Sequence, residues 1–496
     1  MIAISLMPDF ADASPILRDL AAQQVRAGGV ADDSRRVRPG DLFIAFPGDF
    51  ADGRKYIPDA IARGAAAVLW QAGDGFAWQD GWRLPNLGAP HLRPLCGPLA
   101  HAVFSHPSER LSLIAITGTN GKTSICQWLS RLHPRRCAAI GTLGAGFSGQ
   151  QAETGFTTPE AATLARYLAD FAEEGAQACA LEASSIGIEE KRLDGTRVDV
   201  AVFTNLTRDH LDYHGSMEAY AAAKEKLFRW PRLRLAVVNL DDAFGQRLFE
   251  LTSASRVVGY TQGNNFTDRQ GVIRAETVEE APEGLRFILA TPTGRARVET
   301  RLVGRFNVVN LLATAAVLID AGLTPAEVAR RFAELPPPPG RLETIGEPGE
   351  PLLVIDYAHT PDALENALAA LRGTAAARGG QLLAVFGCGG DRDSGKRPLM
   401  GEVARRMADR VVLTSDNPRS ENPAAILAEI SLGAPEAEVI EDRAAAIRRT
   451  VCAASANDVV LLAGKGHEAY QEIAGARRPF SDVDEARAAL IARREK

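Results

Sequence analysis

Ile114-Ala-Ile-Thr117-Gly118-Thr119-Asn120-Gly121-Lys122-Thr123-Ser124 is an apolar run that breaks into a glycine-flanked turn. Leu113 to Ile116 predicts a buried strand, and Gln127, Trp128 and Leu129 continue a helix opened by the hydroxyls. A strand, a Gly-rich turn, Lys-Thr and a helix together make a phosphate cradle. Bare N–H groups and the positive end of the helix face the anion. Gly118, Thr119, Asn120, Gly121, Lys122, Thr123 and Ser124 are therefore the candidate phosphate-binding residues. Lys122 neutralises the phosphates, and Thr123 can hold Mg²⁺. The spacing is tighter than G-x-x-x-x-G-K-[ST], because Ile116 stands where that pattern has its first glycine.

The chain has 496 residues, too many for one core, and a prior of about 150 residues per domain suggests three. A net charge of −6 argues against a nucleic-acid binder that works through general basicity, and 6% aromatic residues disfavours a base-stacking surface. The six cysteines (96, 126, 137, 179, 388 and 452) form no C-x-x-C pair, so neither a zinc site nor a disulfide framework is indicated. Residues 1–15, MIAISLMPDFADASP, carry an acidic residue where a signal peptide needs basic ones, and no apolar run reaches about 18 residues. The expectation is a soluble, cytoplasmic protein with no nucleic-acid or membrane partner.

Three blocks follow from the pattern. Residues 1–108 hold short strands, such as 41–46, and alanine-rich helical pieces, such as 57–64. Residues 109–335 alternate strands and helices: 178–182, 198–204 and 235–239 read as buried parallel strands of βαβ units. Pro336-Pro-Pro-Pro339-Gly340 cannot continue a helix and reads as a stiff linker. Residues 340–496 alternate again, with strands at 352–355, 381–386, 410–413 and 458–463. The fold class expected is α/β in three domains: a small N-terminal α/β domain, a central P-loop-type ATPase domain with a parallel sheet, and a C-terminal Rossmann-like domain.

In open α/β sheets, ligands sit beyond the carboxyl ends of strands. Glu182-Ala-Ser184-Ser185 and Thr204-Asn205-Leu-Thr207-Arg208-Asp209-His210 end two strands there. Glu182 is placed for Mg²⁺, and His210 would be a less usual ligand, since magnesium prefers oxygen. Ser216 should cap a helix in which Tyr220, Lys224 and Leu227 share an apolar stripe. A buried Lys224 would be pushed toward its neutral amine, which can take up CO₂ as a carbamate; its spacing alone favours a side chain that snorkels to solvent. In the last block, Gly387-Cys388-Gly389-Gly390-Asp391-Arg392 nearly matches a dinucleotide fingerprint, which raises a nicotinamide-dependent oxidoreductase as a rival, although the spacing is not G-x-G-x-x-G. Arg392 and Arg419 suit carboxylates, and Glu468 suits an ammonium, so with Asp416, Asn417, Pro418 and Gly464 they outline an amino-acid site.

On these residues the chain resembles the Mur ligase family, ATP-dependent amide-forming enzymes of peptidoglycan precursor synthesis. Gly118 to Thr123 looks like its shortened ATP loop. Thr204 to His214 with Lys224 looks like its magnesium and carbamylated-lysine region. Asn307, Asn310, Gly340-Arg341-Leu-Glu343 and Asp356-Tyr-Ala-His359 resemble its nucleotide-contacting hinge elements. More narrowly, the chain is similar to the branch that adds the third peptide residue. Ser34 within Asp33-Ser-Arg35, Asp52-Gly-Arg-Lys-Tyr56, and Thr157-Thr158-Pro159 match its nucleotide-sugar segments, and Asp416-Asn-Pro-Arg419 matches the version that selects meso-2,6-diaminopimelate rather than lysine.

The resemblance implies ATP, Mg²⁺, UDP-MurNAc-L-Ala-D-Glu and diaminopimelate as ligands, and a monomer. It implies Lys122, Lys224, His210 and Arg341 as catalytic residues, with Asn307 and Asp356 on ATP. Ser34, Thr157, Thr158, Ser184 and Arg192 would bind the UDP-linked dipeptide. Thr123, Glu182, His210 and carbamylated Lys224 would hold the metal. Two positions depart from the family pattern. Ile186 stands where a histidine is usual, and Glu190 where glutamine is frequent; a carboxylate at 190 should repel a substrate carboxylate. A nucleotide-driven switch protein is a third class, which the amino-acid site disfavours.

Overall fold

The computed structural model describes residues 10–48, 51–263 and 271–495. The first nine residues, part of the N-terminal stretch read above, lie outside them. Two compact units are present: one runs to Ile273 and includes Leu312–Leu323, and the other comprises Arg274–Leu311 and Thr324 onward.

In the first unit, Gly29–Ala31, Asp41–Ala45, Ala67–Gln71 and Asn86–Ala89 form a four-stranded parallel sheet in sequence order. Its core joins Leu42, Ile44, Leu69 and Leu99 to Ala161, Ala162 and Ala165 of the helix Ala161–Glu173. An ion pair from the partly buried Arg166 to the buried Asp41, at 2.6 Å, adds to that junction. On the sheet's other face Trp70, Phe76, Trp78 and Trp82 gather into an aromatic group, with Trp70 and Trp78 stacked at 6.3 Å between centroids and Trp78 edge-on to Trp82 at 5.0 Å.

The larger sheet of this unit has parallel strands in the spatial order Arg256–Thr261, Leu235–Asn239, Val200–Phe203, Ser112–Thr117, Ala178–Glu182, Cys137–Gly141, followed by antiparallel Gly144–Phe147 and Gln150–Ala152. Its inner strands are buried on both faces, as continuous apolar runs require. Ser112–Thr117 lies between strands that follow it in sequence, so its carboxyl end opens at a topological switch point.

In the second unit, Glu343–Ile345, Leu352–Asp356, Val459–Ala463, Leu382–Phe386, Arg410–Leu413 and Glu438–Val439 lie side by side, parallel except for the first. The hairpin Tyr470–Ile473 with Ala476–Pro479 follows. Val272–Ala281, Gly284–Thr291 and Gly294–Thr300 form an antiparallel meander, and the helix Pro325–Ala333 packs on it. The expectation of uninterrupted βαβ alternation over 109–335 is corrected here. These strands alternate buried and solvated positions, the pattern of a sheet with one wet face. Pro336–Gly340 has no regular structure, and Gly340, at φ +65, leaves no room for a Cβ beside the His467 nitrogen at 2.3 Å.

Candidate active site

The loop after Ser112–Thr117 is moulded by the strand beside it. Gly118 (φ +143) packs so closely that a Cβ would lie 1.8 Å from Thr204 Oγ1. The Thr204 hydroxyl donates to the Asn120 carbonyl at 2.6 Å. Asn205 accepts from the Asn120 N–H at 3.0 Å and from the Thr119 N–H, through its carbonyl, at 2.8 Å. Gly121 (φ +87) then turns the chain into the helix Lys122–Leu132. Lys122 Nζ donates back to the carbonyls of Gly118 (2.9 Å) and Thr119 (2.8 Å), folded over its own loop.

Lys224 is 1% exposed, which corrects the snorkelling expectation. Ser216 caps the helix Met217–Phe228 through the Ala219 N–H at 3.2 Å, and this helix carries Lys224 inward. Its Nζ donates to the Gly118 carbonyl at 3.1 Å and lies 4.2 Å from the Tyr220 ring centroid. Desolvation first, and the Lys122 charge second, bring its pKa down to about 6. Burial wins because no carboxylate among the described residues bonds the amine, and Asp209 only partly offsets it.

Glu182 is fully buried at the end of the next strand. Its carboxylate accepts from Thr123 Oγ1 at 3.0 Å, from the Thr142 N–H at 2.9 Å and from Thr142 Oγ1 at 3.3 Å. Gly141 makes room for it, since a Cβ there would lie 2.1 Å from Glu182 Oε1. The Thr123 hydroxyl and the Glu182 carboxylate are adjacent hard oxygens, the donors magnesium selects. His210 is placed differently: it is half exposed, at φ 51, with Nε2 3.5 Å from Asp209.

The Thr157, Thr158, Ser184 and Arg192 candidates form one connected group. Thr157 faces Thr142 at 3.2 Å. Thr158 Oγ1 donates to the Glu182 carbonyl at 2.7 Å and lies 2.9 Å from Ser184 Oγ. Arg192 donates to the Thr158 carbonyl at 2.8 Å. The departure at Glu190 has a structural answer. Its carboxylate takes both Nε (2.8 Å) and Nη2 of Arg192, and Glu160 reaches the same Nη2 at 3.1 Å. Ile186 is half-buried in the helix Ser185–Glu189, while Ser185 Oγ meets His214 Nε2 at 3.0 Å. Ser34 is buried in a turn capped by Asp33, with no bond to that group.

In the second unit, parallel strands end together at Asp356, Phe386, Leu413 and Ala463. Asp356 accepts from the Leu342 and Ala358 N–H groups, each at 2.9 Å, and burial pushes its carboxyl up. Arg341 lies 5.4 Å from the Tyr357 ring, and its Nε is buried without a hydrogen-bond partner among the described residues. Asn307 is buried and tied to the Val303 carbonyl at 2.8 Å.

The glycines at 387, 389 and 390 are filled by the chain itself: a Cβ would meet the Thr414 carbonyl at 2.1 Å, Arg419 Nη1 at 2.8 Å and the Pro418 carbonyl at 2.0 Å, respectively. They let the 414–419 loop pack on this one, which accounts for the near-fingerprint without a dinucleotide. Arg419 (φ 51) donates Nη1 to the Gly390 carbonyl at 2.7 Å, and its backbone is bonded to Glu472 and Ala474 of the hairpin. Asp416 and Glu468 both face Lys465, each at 3.3 Å, so Glu468 already has an ammonium beside it. Arg392 is exposed, whereas Arg397, five residues on, is buried against Glu421 and Glu429.

The family models for the Mur ligase catalytic, middle and glutamate ligase domains match residues 27–90, 116–318 and 340–466. A UDP-N-acetylmuramoyl-L-alanyl-D-glutamate--2,6-diaminopimelate ligase of Chromobacterium violaceum is 51% identical over 465 residues, covering 93% of each chain. One from Janthinobacterium sp. is 47% identical over 494 residues, 96% of this chain and 97% of the relative. The chain belongs to the Mur ligase family.

A solved structure of a ligase with that same name superimposes with a TM-score of 0.70 at 38% identity, covering 95% of this chain and 96% of the other. The Mur ligase three-domain architecture and the mixed α/β fold with parallel sheets are therefore those expected from the residues. Among the described residues no helix is long and apolar enough to cross a membrane. Several residues that hold these candidates in place carried no assignment from the sequence: Thr142 on Glu182 and Glu160 on Arg192 in the first unit, and Lys465 between two carboxylates in the second. Only Lys465 had a local signal, since it stands between Gly464 and Glu468, both read from the sequence as site residues.

Proposed function

We infer that this chain is an ATP-dependent ligase that joins meso-2,6-diaminopimelate to the D-glutamate carboxylate of UDP-MurNAc-L-Ala-D-Glu in peptidoglycan precursor synthesis. The observation that carries the reading is the phosphate loop with its two lysines on one carbonyl, in a chain 51% identical to a ligase of that name. A carboxylate is a poor electrophile, so it is first phosphorylated by ATP. The acyl phosphate is then attacked by the amine, giving the amide, ADP and phosphate. Phosphoryl transfer is mainly a positioning and electrostatic task. Lys122, released from its own loop carbonyls, spreads the phosphate charge. Arg341 is assigned the same role, and Asn307 and Asp356 are nucleotide contacts. Thr158, Ser184 and Arg192 orient the dipeptide, with Ser34 and Thr157 on the nucleotide sugar.

Thr123 and Glu182 are the residues that would hold Mg²⁺, which supplies further neutralisation of the phosphates. Lys224, neutral at physiological pH, is proposed to carry CO₂ as a carbamate, adding an anionic oxygen group beside the loop. His210 is retained as a catalytic candidate on the adjoining turn. Arg419, with Arg392, Asp416, Asn417, Pro418, Gly464 and Glu468, is proposed to bind diaminopimelate. We place the enzyme in the cytoplasm, a reading supported by six free thiols, and propose that it acts as a monomer.

Phosphate release is the test. It should require ATP, the UDP-linked dipeptide and an amino acid together, with diaminopimelate preferred in a panel. Lys122→Ala should abolish release while leaving the circular dichroism unchanged. Release with ATP alone, or retained turnover in Lys122→Ala, would overturn the reading.

A further inference from the structure

The amino-acid site contains a cation of its own. Lys465 follows the strand Val459–Ala463 and is fully buried. Its Nζ donates to Asn417 Oδ1 at 3.0 Å, Asp416 Oδ1 at 3.3 Å and Glu468 Oε2 at 3.3 Å. An ammonium has three N–H donors, and this one meets three oxygens, two of them carboxylate. The residues that carry these oxygens are themselves fixed. Asn417 Nδ2 donates to Glu468 Oε2 at 2.9 Å, the Glu472 N–H donates to Asn417 Oδ1 at 2.9 Å, and Gln471 Nε2 donates to the Asp416 carbonyl at 2.8 Å.

An oxygen cage of this composition is what recognises a free ammonium, and here the chain fills it. Two carboxylates and one ammonium leave a single negative charge. Arg419, on the same loop as Asp416 and Asn417, adds a positive one. A second bare ammonium approaching this group finds no net negative charge left to attract it and meets the buried Lys465 ammonium where water does not screen it. An ammonium that arrives with its own carboxylate brings compensation.

We propose that Lys465 is a specificity-determining residue: by occupying the cage of Asp416, Asn417 and Glu468 it excludes amino acids whose far end is a bare ammonium and leaves selection to the far-end carboxylate. This rests on the reading of the 416–419 and 464–468 loops as the amino-acid site. It adds an exclusion to the attraction assigned to Arg419.

The test compares kcat/KM for meso-diaminopimelate and L-lysine, with ATP and the UDP-linked dipeptide saturating. Lys465→Met empties the cage and leaves two carboxylates, so the diaminopimelate-to-lysine ratio should fall by about tenfold or more. Glu468→Gln leaves surplus positive charge, so the ratio should rise. Opposite signs are the signature, because a merely structural role lowers use of both amino acids together. If Lys465→Met fails to fold, Lys465→Met/Glu468→Gln removes one charge of each sign and should show a ratio below that of Glu468→Gln. A ratio unchanged in these variants, or moved in one direction by all of them, overturns the proposal. A wild-type enzyme with no preference between the two amino acids would instead overturn the reading of the site itself.

Discussion

Two amines donate to one oxygen in this molecule, those of Lys122 and Lys224 to the Gly118 carbonyl. Both cannot comfortably be charged, and the buried one yields, with a pKa near 6. The consequence for activity has a sign. The neutral amine that captures CO₂ exists above about pH 6 and is lost below it. Lys224→Ala should be nearly inactive, with partial rescue by short carboxylic acids; full activity at high bicarbonate with an unmodified lysine would refute the carbamate. Stability has a sign too. Between pH 6 and 10.5 the unfolded chain binds a proton at this side chain that the folded one has released. In CO₂-free buffer, stability should therefore rise with pH across that window, by up to roughly 1.4 kcal/mol per unit. Urea titrations at two pH values should show this slope in the wild type and not in Lys224→Met. At the other end of the site, Glu190 occupies the Arg192 guanidinium. Glu190→Gln should lower KM for the UDP-linked dipeptide several-fold at unchanged KM for ATP, as a charge competitor is removed.

The phosphate loop, as an element, depends on glycine for two separate reasons. Gly118→Ala meets both the Thr204 hydroxyl and a φ of +143 that alanine resists. Relieving the contact alone is not enough. Gly118→Ala and Gly118→Ala/Thr204→Ala should both lose at least about 100-fold in kcat/KM for ATP, a barrier of roughly 2.7 kcal/mol. Recovery in the double variant would show that packing, not backbone conformation, is what position 118 supplies. The 416–419 loop is held by the hairpin and not by a pair between Arg419 and Asp416, since Asp416 faces Lys465 and Arg419 reaches Gly390. That leaves Arg419 with donors beyond the Gly390 bond, suited to grip a carboxylate with two parallel bonds. Losing one partner of such a pair costs on the order of 2–5 kcal/mol. Arg419→Ala should collapse the diaminopimelate-to-lysine ratio mainly through loss of diaminopimelate use; an equal loss for both would mark a bracing role.

At the scale of the whole molecule, the buried parallel strands were legible because each is a continuous apolar run, as in Leu235–Asn239 and Val459–Ala463. The meander Val272–Thr300 was not, since strands such as Gly294–Thr300 place arginine and glutamate at alternate positions and resemble surface loop. The phosphate loop was legible because its chemistry is local in sequence. The burial of Lys224 was not, because the Tyr220 stripe indicates a face and not the carbonyl, 106 residues away, that receives the amine. The same limit hid Thr142 and Glu160, whose partners sit across the sheet or along another loop. The aromatic group on the small sheet carries a different consequence. Trp70, Trp78 and Trp82 are three of the chain's five tryptophans, and their indoles lie close enough for their electronic transitions to mix. That mixing gives polarised absorption a signature that Trp128 and Trp230, placed elsewhere in the fold, do not share. The small sheet thus carries its own optical label, and its melting can be followed by circular dichroism without any dye or added probe.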